Sequence, residues 1–356
     1  MTILRAVDLF AGAGGATQGL RDAGFEVVGA VENDLDSAAS YRLNHPHVVL
    51  AEKDIRDIAA TKFRDELGLK PGDLALLKAC PPCQGFSTLA GGRDEDVDRN
   101  DLVNTITRFV RAFRPASVLI ENVPGLRRNY RFVNLVEQIA RIGYATKSYV
   151  VDATQFGVPQ RRRRLIVIAI RGAKSELPDE LVTHADRPPA TVREAFARLA
   201  IVQDGNDSLN IARRSAGKVQ QRIAAVPVGG TRFDLPDEYQ LKCHKRVDAK
   251  GRSATASYGR LKLDAPAPTM TTRCTTPACG SFIHPTEHRG ITLREAATIQ
   301  TFPFDYQFVG TYGSVERQIG NAVPVRMAEA LGLAVRAAIN PRKSDGSRKS
   351  TADTRR

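Results

Sequence analysis

Two short segments of this chain carry side chains able to make and break bonds. Pro81-Pro82-Cys83-Gln84-Gly85-Phe86-Ser87 offers a thiol on a loop, directly after the apolar run Leu74 to Lys78. Glu121-Asn122-Val123 places a carboxyl group after a second short apolar run, Val118 to Ile120. A thiolate that attacks an electron-poor carbon, with an acid to neutralise the charge that appears, is a pairing for covalent catalysis. A free cysteine has a pKa of about 8.5, so its surroundings must favour the thiolate. Upstream, Asp8-Leu9-Phe10-Ala11-Gly12-Ala13-Gly14-Gly15 supplies glycines for a tight turn that can approach a ligand closely. A helix after that turn would aim its first amides at the same ligand. Thr17 stands where the dinucleotide fingerprint G-x-G-x-x-G needs its last glycine, which counts against a nicotinamide dinucleotide. Glu32 follows the next apolar run, where an acid can bind two ribose hydroxyls. These residues fit a nucleoside cofactor, although a structural turn and a surface acid would look alike at this level.

Other features are less specific. Gln160-Arg161-Arg162-Arg163-Arg164 is the kind of basic run that marks a solvated or phosphate-binding face. The stretch Ser87 to Asn100, with Gly91-Gly92 and several charges, reads as a mobile loop with a glycine hinge. The five cysteines, Cys80, Cys83, Cys243, Cys274 and Cys279, are odd in number and unevenly spread, so no disulfide framework is expected. Cys80 and Cys83 form a C-x-x-C, but no zinc-finger spacing accompanies it, and no metal is expected. Cys80 reads as a replaceable packing residue.

The elements that must position these groups alternate. Ile3 to Phe10, Glu26 to Val31, Leu74 to Lys78, Val118 to Ile120, Tyr149 to Val151 and Leu165 to Ile170 read as buried strands. Helical spacing marks the stretch after Gly15 through Leu20, then Leu102 to Phe113, Phe132 to Ile142, Thr191 to Leu199 and Pro324 to Ala338. Strands alternating with helices predict an α/β fold with a mainly parallel sheet, and ligands bind beyond its strand ends. The expected catalytic, cofactor-binding domain is discontinuous, covering 1–171 and 290–339. Between them, 172–289 is polar and rich in Pro and Gly, and predicts a smaller irregular or β-rich domain; 340–356 predicts a disordered basic tail. The 356 residues carry a formal charge of +13, which suits a polyanionic partner. No apolar run reaches the ~20 residues of a membrane span and no signal-peptide pattern opens the chain, so a cytoplasmic protein is expected.

In this order the three motifs resemble those of the DNA (cytosine-5)-methyltransferases, over most of the chain. The resemblance implies a Rossmann-like methyltransferase domain and S-adenosylmethionine as cofactor. It implies that Phe10 packs on the adenine, that Gly12, Gly14 and Gly15 meet the methionine end, and that Glu32, with Asn33 beside it, holds the ribose. Asp54 and Ile55 would contact the adenine, with Asn321 and Val323 of Gln318-Ile319-Gly320-Asn321-Ala322-Val323-Pro324 near the same ligand. Cys83 would be the nucleophile, Glu121 the acid at ring nitrogen 3, and Pro82 the shaper of the loop. In the matching arginine motif alternate residues face the site, which implies Arg162 at the base and Arg164 in support.

The resemblance further implies double-stranded DNA as substrate, a flipped-out target base, and a closing lid that includes Ser87 and Arg99. The segment 172–289 would read the target, with Arg232, Lys245, Arg246 and Arg260 as candidate DNA contacts, and Arg260 to Thr272 resembles the motif that props this domain. The Cys-Phe-Thr tripeptide usual in tRNA cytosine-5 enzymes of this build is absent, and other RNA cytosine-5 enzymes place a second Cys at the position of Glu121. Both departures favour DNA. A monomer is expected, with a cognate endonuclease acting separately; a tRNA methylase and a non-catalytic DNA-binding relative are the competing readings.

Overall fold

A computed structural model describes residues 3–82, 97–172, 177, 180–181, 188–202, 205–249 and 256–339. Its centre is a seven-stranded sheet: β1 (Arg5–Leu9), β2 (Glu26–Val31), β3 (Val49–Ala51), β4 (Leu76–Ala79), β5 (Ser117–Asn122), β6 (Tyr144–Asp152) and β7 (Arg163–Arg171). The strands lie in the order β3-β2-β1-β4-β5-β7-β6. All neighbours are parallel except β7, which runs antiparallel to β5 and β6. The order reverses between β1 and β4, so the loops leaving these two strands diverge and open a crevice at their carboxyl ends.

Helices cover both faces, which is why β4 and β5 are buried along their whole length and read as near-continuous apolar runs. One face packs on α3 (Ala60–Glu66), α4 (Val97–Phe113) and α5 (Tyr130–Arg141), through Phe63, Phe109, Phe113 and Leu135. The other takes Leu20 of α1 (Gly15–Asp22) with Met327, Leu331 and Val335 of α11 (Val325–Ile339). Helix α2 (Leu35–Asn44) joins β2 to β3 and starts on Asp34, whose side chain accepts from the Ser37 amide.

One charged pair breaks the apolar pattern. Asp8 and Lys78 are direct partners in the β1–β4 register, and Lys78 Nζ lies 2.8 Å from Asp8 Oδ1. Both are buried. The second oxygen of Asp8 accepts from the Thr17 hydroxyl at 2.8 Å, and that hydroxyl is 2.9 Å from the Tyr41 hydroxyl. Burial opposes the charge on Lys78, but Asp8, Cys80 and Glu121 outweigh it and hold its pKa above the ordinary lysine value.

Of the two characters expected for the region 172–289, irregular or β-rich, the described residues show the irregular one. Among its described residues no strand joins a sheet; instead there are α6 (Val192–Val202), α7 (Gly217–Ala225), α8 (Lys242–Ala249) and short 3-10 turns. Isolated bridges such as Arg260–Ile283 are all that remains of β pairing there. Its short apolar stretches are too interrupted for a ladder, and a small cluster of Ile223, Val226, Leu235, Tyr258 and Ile283 gathers them instead. Nor is the boundary clean. Val192, Leu261, Met270 and Phe282 share one core with α9 (Leu293–Ile299) and α10 (Tyr312–Asn321) of the returning chain. Among the described residues no helix is long and apolar enough to cross a membrane. The tail 340–356 lies outside the described residues.

Lys78→Met would leave Asp8 buried without its cation, and loss of one partner from such a pair costs about 3–5 kcal/mol. Urea unfolding of wild type and variant is expected to show that difference.

Candidate active site

The turn after β1 is built by conformation as much as by residue type. Phe10 itself takes a left-handed backbone, φ 59°, which a non-glycine residue adopts at a cost of about 1–3 kcal/mol. Gly14 follows at φ 95°, and a Cβ there would lie 2.6 Å from the His45 ring and 2.7 Å from the Tyr306 hydroxyl. Those two side chains back the turn: Tyr306 Oη donates to the Ala13 carbonyl at 2.6 Å, and His45 Nε2 lies 3.2 Å from the Gly14 carbonyl. Arg21 donates to His45 Nδ1 at 3.1 Å, which makes Nε2 the protonated nitrogen. Burial first, then the Arg21 charge, lower the His45 pKa to about 4, so the ring is neutral at pH 7.

In front of the turn lies a cleft lined by Phe10, Glu32, Asn33, Asp54, Ile55 and Pro82. Five of the ten expected cofactor residues, Phe10, Glu32, Asn33, Asp54 and Ile55, thus line one cleft. Glu32 Oε2 accepts from the Gly12 amide at 2.7 Å, and Oε1 accepts from the amides of Asn33 and Asp34 at 2.9 and 2.8 Å. Burial raises the Glu32 pKa against the lowering effect of these amides. Asp54 is held by Arg56 at 2.8 Å, which keeps its carboxyl below the usual range. Val323 stands behind the loop, since a Cβ on Gly15 would lie 3.0 Å from its carbonyl oxygen. Asn321 ends α10 and is exposed. Neither lines the cleft.

The catalytic candidates gather next to this cleft. Glu121, buried at the end of β5, has Oε1 at 2.8 Å from Arg164 Nε and Oε2 at 2.7 Å from Cys80 Sγ. The Asn122 side chain donates to the Pro81 carbonyl at 2.9 Å, so the strand end that carries Glu121 also holds the start of the cysteine loop. Cys83 and Ser87 lie outside the described residues, with the greater part of the expected lid. Arg99 falls in the first turn of α4, which begins at Val97, rather than in a loop reaching Asn100; its side chain lies outside the described residues.

The arginine run alternates as expected: Arg162 is buried, while Arg161 and Arg163 are exposed. The two members of the pair have different partners. Arg162 donates through one nitrogen to the carbonyls of Met270 and Gly320, at 2.9 and 3.2 Å, and so braces two distant segments. Arg164, on Glu121, is the one at the catalytic cluster. Arg164 is thus tied to Glu121, and Arg162 to the segments around Met270 and Gly320.

Two of the expected DNA contacts are also corrected. Arg260 is only 4% exposed and donates to the carbonyls of Val226, Ile223, His284 and Glu287. Arg232 is 6% exposed with its guanidinium over the Phe233 ring, 4.2 Å from the centroid. Both are internal, and neither faces a phosphate. Lys245 and Arg246 are exposed on α8, with Lys245 paired to the equally exposed Asp237 at 3.3 Å. Sequence reasoning missed His45, Tyr306, Gln160 and Gln300; the last two bond to each other at 2.7 Å. Among the described residues no group of three His, Cys, Asp or Glu is arranged to hold a metal.

A mainly parallel α/β sheet with a cleft at its strand ends, beside a buried carboxylate held by an arginine, is the architecture of an α/β enzyme. The chain belongs to the C-5 cytosine-specific DNA methylase family, whose model matches residues 4–336, and it is a DNA (cytosine-5)-methyltransferase. It is 34% identical over 343 residues to the Type II methylase M.HgiDII of Herpetosiphon aurantiacus, covering 93% of this chain and 94% of that one. It is 29% identical to the Type II methyltransferase M.AgeI of Thalassovita gelatinovora, covering 95% and 100%. A candidate DNA modification methyltransferase from an E. coli prophage superposes with a TM-score of 0.68 at 25% identity, over 94% of this chain and 99% of that one.

Two measurements test these placements. Arg260→Ala should lower the unfolding free energy by about 3 kcal/mol through orphaned carbonyls, whereas Lys245→Ala should change it by less than about 0.5 kcal/mol. His45 has a folded pKa depressed from 6.5 to about 4, so its contribution is complete above pH 6.5 and is lost as pH falls towards 4. Unfolding between pH 7 and 4 should lose about 3 kcal/mol less in His45→Gln than in wild type.

Proposed function

We propose that this enzyme transfers a methyl group from S-adenosylmethionine to carbon 5 of a cytosine flipped out of double-stranded DNA, at one short recognition sequence. The observation that carries this reading is the place of Pro82. It lines the cleft with Phe10, Glu32 and Ile55, and its neighbour Pro81 is tied through Asn122 to the strand end bearing Glu121. A donor in the cleft and a base at Glu121 would therefore flank Cys83, the next residue of the loop.

The residues present fit the donor. Phe10, Ile55 and Pro82 offer apolar surface to a purine, and Glu32 and Asp54 offer acceptors to hydroxyls and an amine. Glu32 and Asp54 face the cleft as its two carboxyl groups, and carboxylates lining a cleft suit a cationic sulfonium better than a polyphosphate. Gly12, Gly14 and Gly15 would admit its methionine end, with Asn33 beside the ribose; the Val323 carbonyl supports the loop from behind.

S-adenosylmethionine, when bound, supplies the electrophilic methyl that carbon 5 takes. The chain does the rest. The Cys83 thiolate forms a bond to carbon 6, and the ring electrons displaced towards nitrogen 3 are met there by the acid Glu121. Arg164 holds Glu121 and faces the base carbonyl, and the Pro82 carbonyl receives the exocyclic amine. A solvent water then takes the proton from carbon 5 as the carbon 6–sulfur bond breaks and releases the Cys83 thiolate, and nitrogen 3 returns its proton to the Glu121 carboxylate, which restores the ring. Flipping the base costs a few kcal/mol, which a basic surface with Lys245 and Arg246 would help to offset. Similarity to Type II methylases supports a role in a restriction-modification system; a monomer, a cytoplasmic location and a separate endonuclease complete this reading.

Methyl transfer from labelled cofactor to unmethylated genomic DNA and, separately, to tRNA tests the reading, with bisulfite sequencing of the product. Methylcytosine at one repeated DNA motif is expected; label in tRNA alone would overturn the substrate. Cys83→Ser should abolish turnover while retaining cofactor binding, and Glu121→Gln should cut turnover by roughly 100-fold or more without unfolding the protein. Wild-type rates in either variant would remove that residue from its role.

A further inference from the structure

We propose that Cys80 is a positioning residue for methyl transfer, its thiol fixing the orientation in which the Glu121 carboxyl group meets the base. The parallel register of β4 and β5 pairs Ala79 with Ile120, so the next position sets Cys80 beside Glu121. There Cys80 Sγ donates to Oε2 at 2.7 Å while Arg164 Nε holds Oε1 at 2.8 Å. The terminal torsion of a glutamate is broad and two-fold, and nothing intrinsic fixes the plane of its carboxyl group. Donors on both oxygens, reaching from β4 and β7, fix that plane before a substrate arrives.

Cys80 is itself well held. Its amide donates to the Leu9 carbonyl at 3.3 Å, and it packs on the small cluster of Ala16, Val323 and Ala328. It therefore links the cofactor loop, through that packing, to the catalytic carboxyl, through its thiol. Two residues earlier on the same strand, Lys78 adds a buried positive charge that both Cys80 and Glu121 feel. The expectation that Cys80 only fills space accounts for its packing and leaves its contact with Glu121 unexplained.

This inference rests on Glu121 as the acid of the reaction, so Glu121→Gln is measured beside the Cys80 variants. Cys80→Ala should lower kcat about tenfold with KM for DNA and for S-adenosylmethionine within about twofold, the split expected when an interaction made in the transition state is lost. Cys80→Ser, which keeps a donor, should recover to within about threefold of wild type; Cys80→Val, which fills the space without a donor, should match alanine and decides the matter if alanine melts early. Wild-type kcat in the donor-free variants, equal losses in serine and valine, or a loss confined to KM would overturn the positioning role. Wild-type turnover in Glu121→Gln would instead remove the acid assignment, and this inference with it.

Discussion

The ion pair between Asp8 and Lys78 is the constraint on which the rest of the site depends. It joins β1 to β4 at the point where the strand order reverses, so it sets the relative height of the cofactor turn and the cysteine loop. A buried pair of this kind contributes little net stability over well-packed apolar residues of similar volume. Its effect here is geometric. A slip of β4 against β1 would leave both charges buried and unpaired, and would also separate Asp8 from Thr17 in the helix behind the glycine turn. The same lysine places a fixed positive charge under a site where a thiolate and a carboxylate must coexist.

A second constraint comes from the returning chain. The glycine turn near the start of the sequence is backed by Tyr306, and the arginine run near its middle is tied to residues 270 and 320. Gly320 is required at that junction because a Cβ there would lie 1.9 Å from the Thr271 carbonyl. Gln160 adds a further lock, donating to Gln300 and accepting from the Met270 amide. None of these residues touches a reacting atom. They explain how motifs some 300 residues apart in the family pattern, matched here over residues 4–336, operate as one site.

Strands such as β2 and β5 were legible because burial on both faces writes an unbroken apolar run into the sequence. Helix α2 was not: Leu35 and Leu43 are exposed and its buried face is Ser37, Ala38, Ser40 and Tyr41, which leaves no apolar stripe. Strand β3, three residues long, is too short to show a period. The carboxyl and glycine motifs were legible as chemistry, but the hydrogen bond of Cys80 was not. It becomes visible only once the register of β4 against β5 is known, since the two residues stand 41 positions apart in the chain.

Charge was the least faithful guide. Arg260 and Arg232 looked like the basic readers of the target segment, yet they are among its most buried side chains. The reason is that an irregular segment has no ladder to satisfy its carbonyls, and a guanidinium, with five donors in a fixed fork, can gather several of them at once. Arg260 does this for four carbonyls spread from Ile223 to Glu287. Cations that hold a scaffold together cannot also release counterions from a phosphate backbone, so the formal charge of +13 overstates the surface available to DNA. Lys245 and Arg246, by contrast, are left exposed by this internal frame. The frame is not separate from the catalytic domain, because Val192, Leu261, Met270 and Phe282 share a core with α9 and α10, and Arg162 and Gln160 are both bonded to Met270.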